Sequence, residues 1–157
     1  MEEYEYSYKV KDIKPYIDFC IENKYIKIKE VIQHRKVYEN IYNKDIISRI
    51  TMEDGISRID FKNISNKNND LNISNESKSL IIDESNKEFF DSMLNTLGFI
   101  ECADNYRTRY IYKKDNVKFE IDDYSSPNMY VVGIEGERKE VDKVFNELKD
   151  INNLYKE

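Results

Sequence analysis

The chain opens on Glu3-Tyr4-Glu5-Tyr6-Ser7-Tyr8-Lys9, where charged or polar groups alternate with tyrosine at period two. A strand sends successive side chains to opposite faces. Glu3, Glu5, Ser7 and Lys9 therefore share one face, and Tyr4, Tyr6, Tyr8 and Val10 share the other. The polar face holds two carboxylates and an ammonium in register. Such a face is either solvated or the wall of a site that takes cations and anions together. The remaining strands decide between the two.

The same alternation recurs along the chain. In 105–113, Arg107, Arg109 and Lys113 oppose Tyr106, Thr108, Tyr110 and Tyr112. In 117–122, Lys118, Glu120 and Asp122 oppose Val117, Phe119 and Ile121. In 130–135, Glu135 shares a face with Val131 and Gly133, opposite Tyr130, Val132 and Ile134. Arg58, Asp60 and Lys62 oppose Ser57, Ile59 and Phe61, while Arg49, Thr51 and Glu53 oppose Ile46, Ser48, Ile50 and Met52. Gln33 and Arg35 oppose Ile32 and His34, a weaker contrast. An open antiparallel sheet with this pattern is simply wet on one side. A closed sheet turns the apolar faces toward outer helices and the charges into a lumen. Such a lumen cannot be dry, because unpaired buried charges are costly. It must hold water, ions and a polyanion: arginine and lysine suit phosphate oxygens, and carboxylates suit hard divalent cations.

The 157 residues form one expected domain, 1–157, with a formal net charge of −6. That balance argues against a nucleic-acid surface. No apolar run approaches the roughly 18 residues of a membrane span, and no export signal opens the chain, so a cytoplasmic protein without membrane contact is expected. Cys20 and Cys102 are isolated cysteines, expected to be reduced, and the single histidine, His34, falls on an apolar strand face and reads as packing. Helices are expected from Asp12 to about Asn23, from a capping box at Ser85 and Glu88 to Gly98, and from Glu137 onward. Glu53-Asp54-Gly55 signals a hairpin. Residues 63–79, mostly Asn, Ser, Lys and Asp, read as a mobile loop. The order of elements predicts an α+β fold, an eight-stranded antiparallel sheet with helices packed outside.

At this point the chain resembles the CYTH superfamily, the triphosphate tunnel metalloenzymes, which include class IV adenylate cyclases and thiamine or inorganic triphosphatases. Glu3 and Glu5 match the family's E-x-E-x-K opening strand, with Ser7 in place of the lysine. Arg49-Ile50-Thr51 and Phe61-Lys62 are similar to its R-x-R and L-K segments, Thr51 replacing the second arginine. Tyr106-Arg107-Thr108-Arg109 is similar to its basic strand, and Val117 to Asp122 to its acidic one. Tyr130 to Gly136 is similar to its F-V-E-I-E-G strand, with Gly133 in place of the first glutamate. The segment from Glu140 to Leu148 matches its terminal helix in character.

The resemblance implies an eight-stranded antiparallel tunnel, with helices outside, that binds a triphosphate with Mg²⁺ or Mn²⁺. It makes Glu3, Glu5, Glu120, Asp122 and Glu135 candidate metal ligands. Lys9, Arg35, Arg49, Arg58, Lys62, Arg107 and Arg109 become candidate phosphate ligands. The implied chemistry is in-line attack at phosphorus. Triphosphate hydrolysis is preferred to nucleotidyl cyclisation, since water needs only positioning. The substitutions at Ser7, Thr51 and Gly133 leave open a non-catalytic module that binds a phosphate or nucleotide. A plain interaction domain is the third reading. The partner expected is a small triphosphate or other polyanion, and the oligomeric state, including a homodimer, is open.

Overall fold

The computed structural model describes residues 2–125 and 127–157. Among them are nine strands and four helices, in the order β1 (Glu2–Val10), α1 (Lys14–Glu22), β2 (Ile26–Asn40), β3 (Ile46–Glu53), β4 (Ile56–Asn68), β5 (Leu71–Glu76), β6 (Leu80–Ile82), α2 (Lys87–Thr96), β7 (Phe99–Lys114), β8 (Val117–Ser125), β9 (Asn128–Gly136), α3 (Arg138–Glu147) and α4 (Lys149–Tyr155). The sheet runs β3-β2-β7-β8-β9-β1-β5-β4, and a β3–β4 pairing closes it. The result is an eight-stranded antiparallel barrel with the helices packed outside, so the α+β expectation holds. The short β6 pairs with the first half of β4, on the edge whose second half carries β5.

Closure through the β3–β4 pairing puts the alternation to use. Each strand has an apolar face, and two groups of helices cover those faces. On the β1, β8 and β9 side, Tyr8, Val10, Phe119, Ile121, Val132 and Ile134 pack with Tyr16 and Cys20 of α1, Val141 of α3 and Leu148. Burying such side chains contributes about 1.5–3 kcal/mol each. On the other side, Phe90 and Leu94 of α2 pack on Ile59, with Tyr38, Phe61 and Phe99 around them. The three outward-facing tyrosines of β1, and Tyr16 of α1, place their hydroxyls on the last two helices. Tyr4 and Tyr6 donate to Asp142 Oδ1 at 2.6 and 2.9 Å, and Tyr8 and Tyr16 donate to Asn152 Oδ1 at 3.1 and 2.7 Å.

Two expectations need correction. Residues 63–79 are not a loop: β4 continues to Asn68 and β5 returns from Leu71, turned at Asn69, whose φ is 53°. Asparagine tolerates the left-handed conformation that this turn requires. The polar composition suggests a loop, but β5 has β4 on one edge and β1 on the other, and pairing on both sides overrides weak intrinsic propensity. The capping box at Ser85 and Glu88 does not form. The Ser85 N–H and hydroxyl both donate to Asp83 Oδ1, at 2.9 and 2.5 Å, and the Asp83 N–H donates to Asn86 Oδ1 at 2.8 Å. An ionised aspartate is the stronger acceptor, so the helix begins after Asn86. The Asp54-Gly55 turn forms as expected, with φ of 52° and 76°. Both cysteines are free, and His34 lies on the outer face, stacked on Tyr106 with centroids 4.2 Å apart.

The end of β9 is the tightest backbone contact. Gly136 has φ 145°, and an added Cβ would lie 1.8 Å from the carbonyl oxygen of Asn116. Gly55 has φ 76° and open space around it. Gly55→Ala is expected to cost about 1–2 kcal/mol, the usual penalty for a left-handed L-residue. Gly136→Ala is expected to lower the urea midpoint by clearly more, and equal midpoints for the two variants would contradict this packing.

Candidate functional site

Alternate residues of all eight staves point into one lumen, a cavity of about 470 Å³. On six of its eight staves the lining charges are of one sign, while β4 and β8 carry both. Strands β9, β1 and β5 bring Glu135, Glu3, Glu5 and Glu76, and strands β7, β2 and β3 bring Arg107, Arg109, Arg35 and Arg49. In the ring, β1 and β2 are separated by β9, β8 and β7 on one side and by β5, β4 and β3 on the other, so they face each other across the lumen.

On the acidic wall, one carboxylate oxygen each from Glu3, Glu5 and Glu135 lies within 4.8 Å of the others. Lys62 Nζ donates to Glu3 Oε1 at 3.0 Å and to Glu5 Oε2 at 3.4 Å, and Lys118 pairs with Glu135 at 2.5 Å. These two ammonium groups do not neutralise the cluster. Burial pushes the Glu5 carboxyl up to about 8 against the pull of Lys62, with Glu120, Glu3 and Glu135 adding repulsion. Burial, Glu120 and Glu3 raise Glu135 to about 7. Glu3 resists its own burial through a hydrogen bond with Glu76 and the charge of Lys62, and sits at about 2. Burial and that same hydrogen bond raise Glu76. Three oxygen donors crowded together and short of positive charge fit a hard divalent cation. Gly133 makes the room: a Cβ there would sit 2.9 Å from Glu5 Oε1. The carboxylate expected at Gly133 from the family pattern is thus replaced by space that Glu5 occupies.

On the basic wall most guanidinium groups already have partners. Arg109 Nε and Nη2 clamp Asp122 at 2.8 Å each, and Nη1 reaches Glu120 at 2.6 Å. Arg107 is held by Gln33 at 2.8 Å, Tyr124 at 2.9 Å and Asp122 at 3.4 Å. Arg49 pairs with Asp60 at 2.8 Å and Glu76 at 2.7 Å. Arg35 differs. Its Nε is buried with no hydrogen-bond partner, and among the described residues its side chain makes no ion pair. Burial, together with Arg107, Arg49 and Arg109, lowers its pKa to about 9. It is a cation held among cations, which is the environment of an anion-binding group.

The structure therefore sorts the candidates. Glu3, Glu5 and Glu135 come together. Glu120 and Asp122 line the same lumen but bind Arg109, so they are arginine partners rather than members of the carboxylate cluster. Arg35, Arg49, Lys62, Arg107 and Arg109 line the cavity, and Lys9 and Arg58 do not. Both have the inward parity, but each stands beyond an end of the cavity: Lys9 is exposed past Ser7, and Arg58 lies opposite Thr51, near Glu53. Parity gives the face of a strand and not the depth along it. Glu76 is the residue missed by sequence reading, because its segment reads as a loop and so has no assigned face.

No protein-family model matches the sequence, and no curated protein matches it. Solved structures do match. A conserved hypothetical protein from Pyrococcus furiosus is 18% identical over 96% of this chain and 88% of its own, with a TM-score of 0.70. HpAC1 from Hippeastrum, described as a candidate adenylyl cyclase with a dominant triphosphatase activity, is 14% identical over 98% and 90%, with a TM-score of 0.66. A chain of the Schizosaccharomyces pombe Mediator head module is 9% identical over 99% and 98%, also with a TM-score of 0.66. At these identities the likeness establishes the fold, which serves both a triphosphatase and a subunit of a large assembly.

Asp122 is the hub of the basic wall, almost fully buried and bound to two arginines. Asp122→Asn is expected to cost about 3 kcal/mol in urea unfolding, since it leaves buried guanidinium groups underpaired. Burial opposes ionisation of Asp122, but Arg109 and Arg107 more than offset it and hold the pKa below its ordinary value. A depressed carboxyl pKa stabilises the fold above about pH 4 and loses that contribution as pH falls further. The wild type should therefore lose more stability than Asp122→Asn as pH drops below about 4, and parallel stability curves would reject the role given to this pair.

Proposed function

We propose that the lumen binds a triphosphate together with Mg²⁺ or Mn²⁺ and hydrolyses it. The observation that carries this reading is the opposition across one lumen of a crowded carboxylate cluster, Glu3, Glu5 and Glu135, and an arginine without a counter-ion, Arg35. Glu3, Glu5 and Glu135 would hold the metal ion. A divalent ion bound there supplies neutralisation of phosphate oxygens and of the charge that builds up at the leaving oxygen. Arg35 binds a phosphoryl oxygen in charge-assisted fashion. Arg49, Arg107 and Arg109, fixed by their own carboxylates, maintain a preorganised positive field beside it. The acidic wall lets the anion enter only with its cations, because unaccompanied phosphate would meet Glu3 and Glu5. The lumen then aligns the chain of phosphates and leaves water as the nucleophile.

A second reading follows from the same ion pairs. Because Arg49, Arg107 and Arg109 are already paired with Asp60, Glu76, Glu120 and Asp122, few cations are free to stabilise a transition state. That favours a module that binds a polyanion without turnover. Assay of tripolyphosphate with Mn²⁺ for released phosphate separates hydrolysis from binding.

Arg35 provides the decisive variant. A charge-assisted bond to phosphate contributes about 1.5–3 kcal/mol, and 1.4 kcal/mol is tenfold. Arg35→Ala is expected to weaken tripolyphosphate binding more than tenfold in calorimetry with Mn²⁺. It should leave the ligand-free melting temperature unchanged or raise it, since it removes an unpaired buried charge. Unaltered affinity, or a large fall in ligand-free stability, would reject Arg35 as the phosphate ligand. Wild-type protein at ligand concentrations about 100 times Kd should gain about 2.7 kcal/mol, and this gain should vanish on chelation of the metal.

A further inference from the structure

Two staves stand between the walls. Strand β4 has the acidic β5 on one edge and the basic β3 on the other, and β8 stands likewise between β9 and β7. Each sends its charges to the wall that lacks them. From β8, Glu120 and Asp122 go to Arg109, and Lys118 goes to Glu135. From β4, Asp60 goes to Arg49, and Lys62 goes to Glu3 and Glu5. The free protein thus supplies from its own chain the opposite charge that a ligand would bring to each wall.

These stand-ins are not equally fixed. Asp60 and Asp122 are each clamped by two nitrogens of one arginine, which adds geometric specificity to the charge. Lys62 is a single ammonium on a flexible four-carbon stem. Its Nζ lies 3.0 Å from Glu3 Oε1 and 3.4 Å from Glu5 Oε2, the second of these long for a hydrogen bond. On its other side it meets the repulsion of Arg49. A divalent ion sits roughly 2.0–2.6 Å from carboxylate oxygens, so one held by Glu3 and Glu5 would lie beside that ammonium on the same two side chains. Lys62 is buried, and two cations so placed are poorly screened from each other.

We propose that Lys62 is a movable counter-ion that couples the metal to the triphosphate. In the free protein it neutralises Glu3 and Glu5. A divalent ion taken up by those glutamates displaces it, and its stem turns along the lumen toward the basic wall. Arg49 opposes it there unless a phosphate stands between them. The ion therefore binds poorly alone, and the displaced ammonium becomes one more cation for the anion, which relieves the shortage left by the paired arginines. The inference rests on the triphosphate reading above and assigns the residue that makes its two ligands cooperative.

The first readout is the metal alone. In calorimetry with Mn²⁺ and no phosphate, Lys62→Met is expected to bind the ion at least tenfold more tightly than wild type. Lys118→Met, which removes the same charge from beside Glu135, is expected to gain less than threefold, because Lys118 touches one member of the cluster and is 35% exposed. Tripolyphosphate is expected to raise the Mn²⁺ affinity of wild type and Lys62→Met alike, after allowance for the ion it binds in free solution, but at least fivefold less in the variant. Should Lys62→Met not fold, wild-type protein carries the test: saturating Mg²⁺ alone should raise acetylation of Lys62 by acetic anhydride at least threefold, read by mass spectrometry. Equal Mn²⁺ affinity in wild type and Lys62→Met would overturn the inference. So would an equal gain in Lys118→Met, or labelling of Lys62 that ignores Mg²⁺. If tripolyphosphate still binds wild type with Mn²⁺ in any of those cases, the tunnel reading stands without the counter-ion. If neither the ion nor the triphosphate binds, both fail together.

Discussion

Every other feature of the molecule answers to one constraint: eight polar strand faces have been closed around one small lumen, where their charges are largely withdrawn from bulk water. A charge in that position must find a partner or lose its ionisation. The basic wall adopts the first course. Arg109 uses three nitrogens on Asp122 and Glu120, and Arg49 bridges Asp60 and Glu76. The acidic wall adopts the second in part, with the Glu5 and Glu135 carboxyls driven well above their ordinary values. What is left over, a cation without an anion on one side and anions short of cations on the other, defines the chemistry available to a ligand.

The exterior makes this closure affordable in free energy. The apolar faces of β1, β8 and β9 disappear under α1, α3 and α4, and β4 packs against α2. The tyrosines of β1 do more than fill space. Their hydroxyls reach Asp142 and Asn152, far along the sequence, so the first strand is fixed to the last helices by directional bonds. A strand that carries two of the three clustered carboxylates is thereby held in register from its outer face.

The charged and apolar faces of the strands were legible because parity is a strong signal, while their closure into a barrel was implied only by the family resemblance. Tyrosine and glutamate cannot exchange faces in β1 without burying carboxylates under α3, and the same holds for Phe119 and Glu120 in β8. The β4–β5 hairpin was not legible, since Asn, Ser and Lys say nothing about an edge that gains partners on both sides. Of the site, the sequence shows which residues point inward. It does not show how deep each lies, so Lys9 and Arg58 look like lumen residues when they stand beyond it. Nor does it show who pairs with whom. That Glu120 and Asp122 pair with Arg109 is seen only across the β7–β8 ladder, and Glu76 has no assigned face until β5 is seen as a strand.

Strand β1 also sets two tyrosines directly behind the carboxylate cluster. The chain has thirteen tyrosines and no tryptophan, so tyrosine emission is not masked by energy transfer to indole. Glu3 and Glu5 point into the lumen, and the residues following each, Tyr4 and Tyr6, place their hydroxyls on one carboxylate oxygen of Asp142. Tyr6 also stacks on Phe145 with ring centroids 4.0 Å apart. A cation drawn onto Glu3 and Glu5 would pull on the backbone that carries these rings. A carboxylate that accepts a phenol's hydrogen bond quenches its fluorescence, so a ligand that shifted β1 would change the emission of these two among the thirteen.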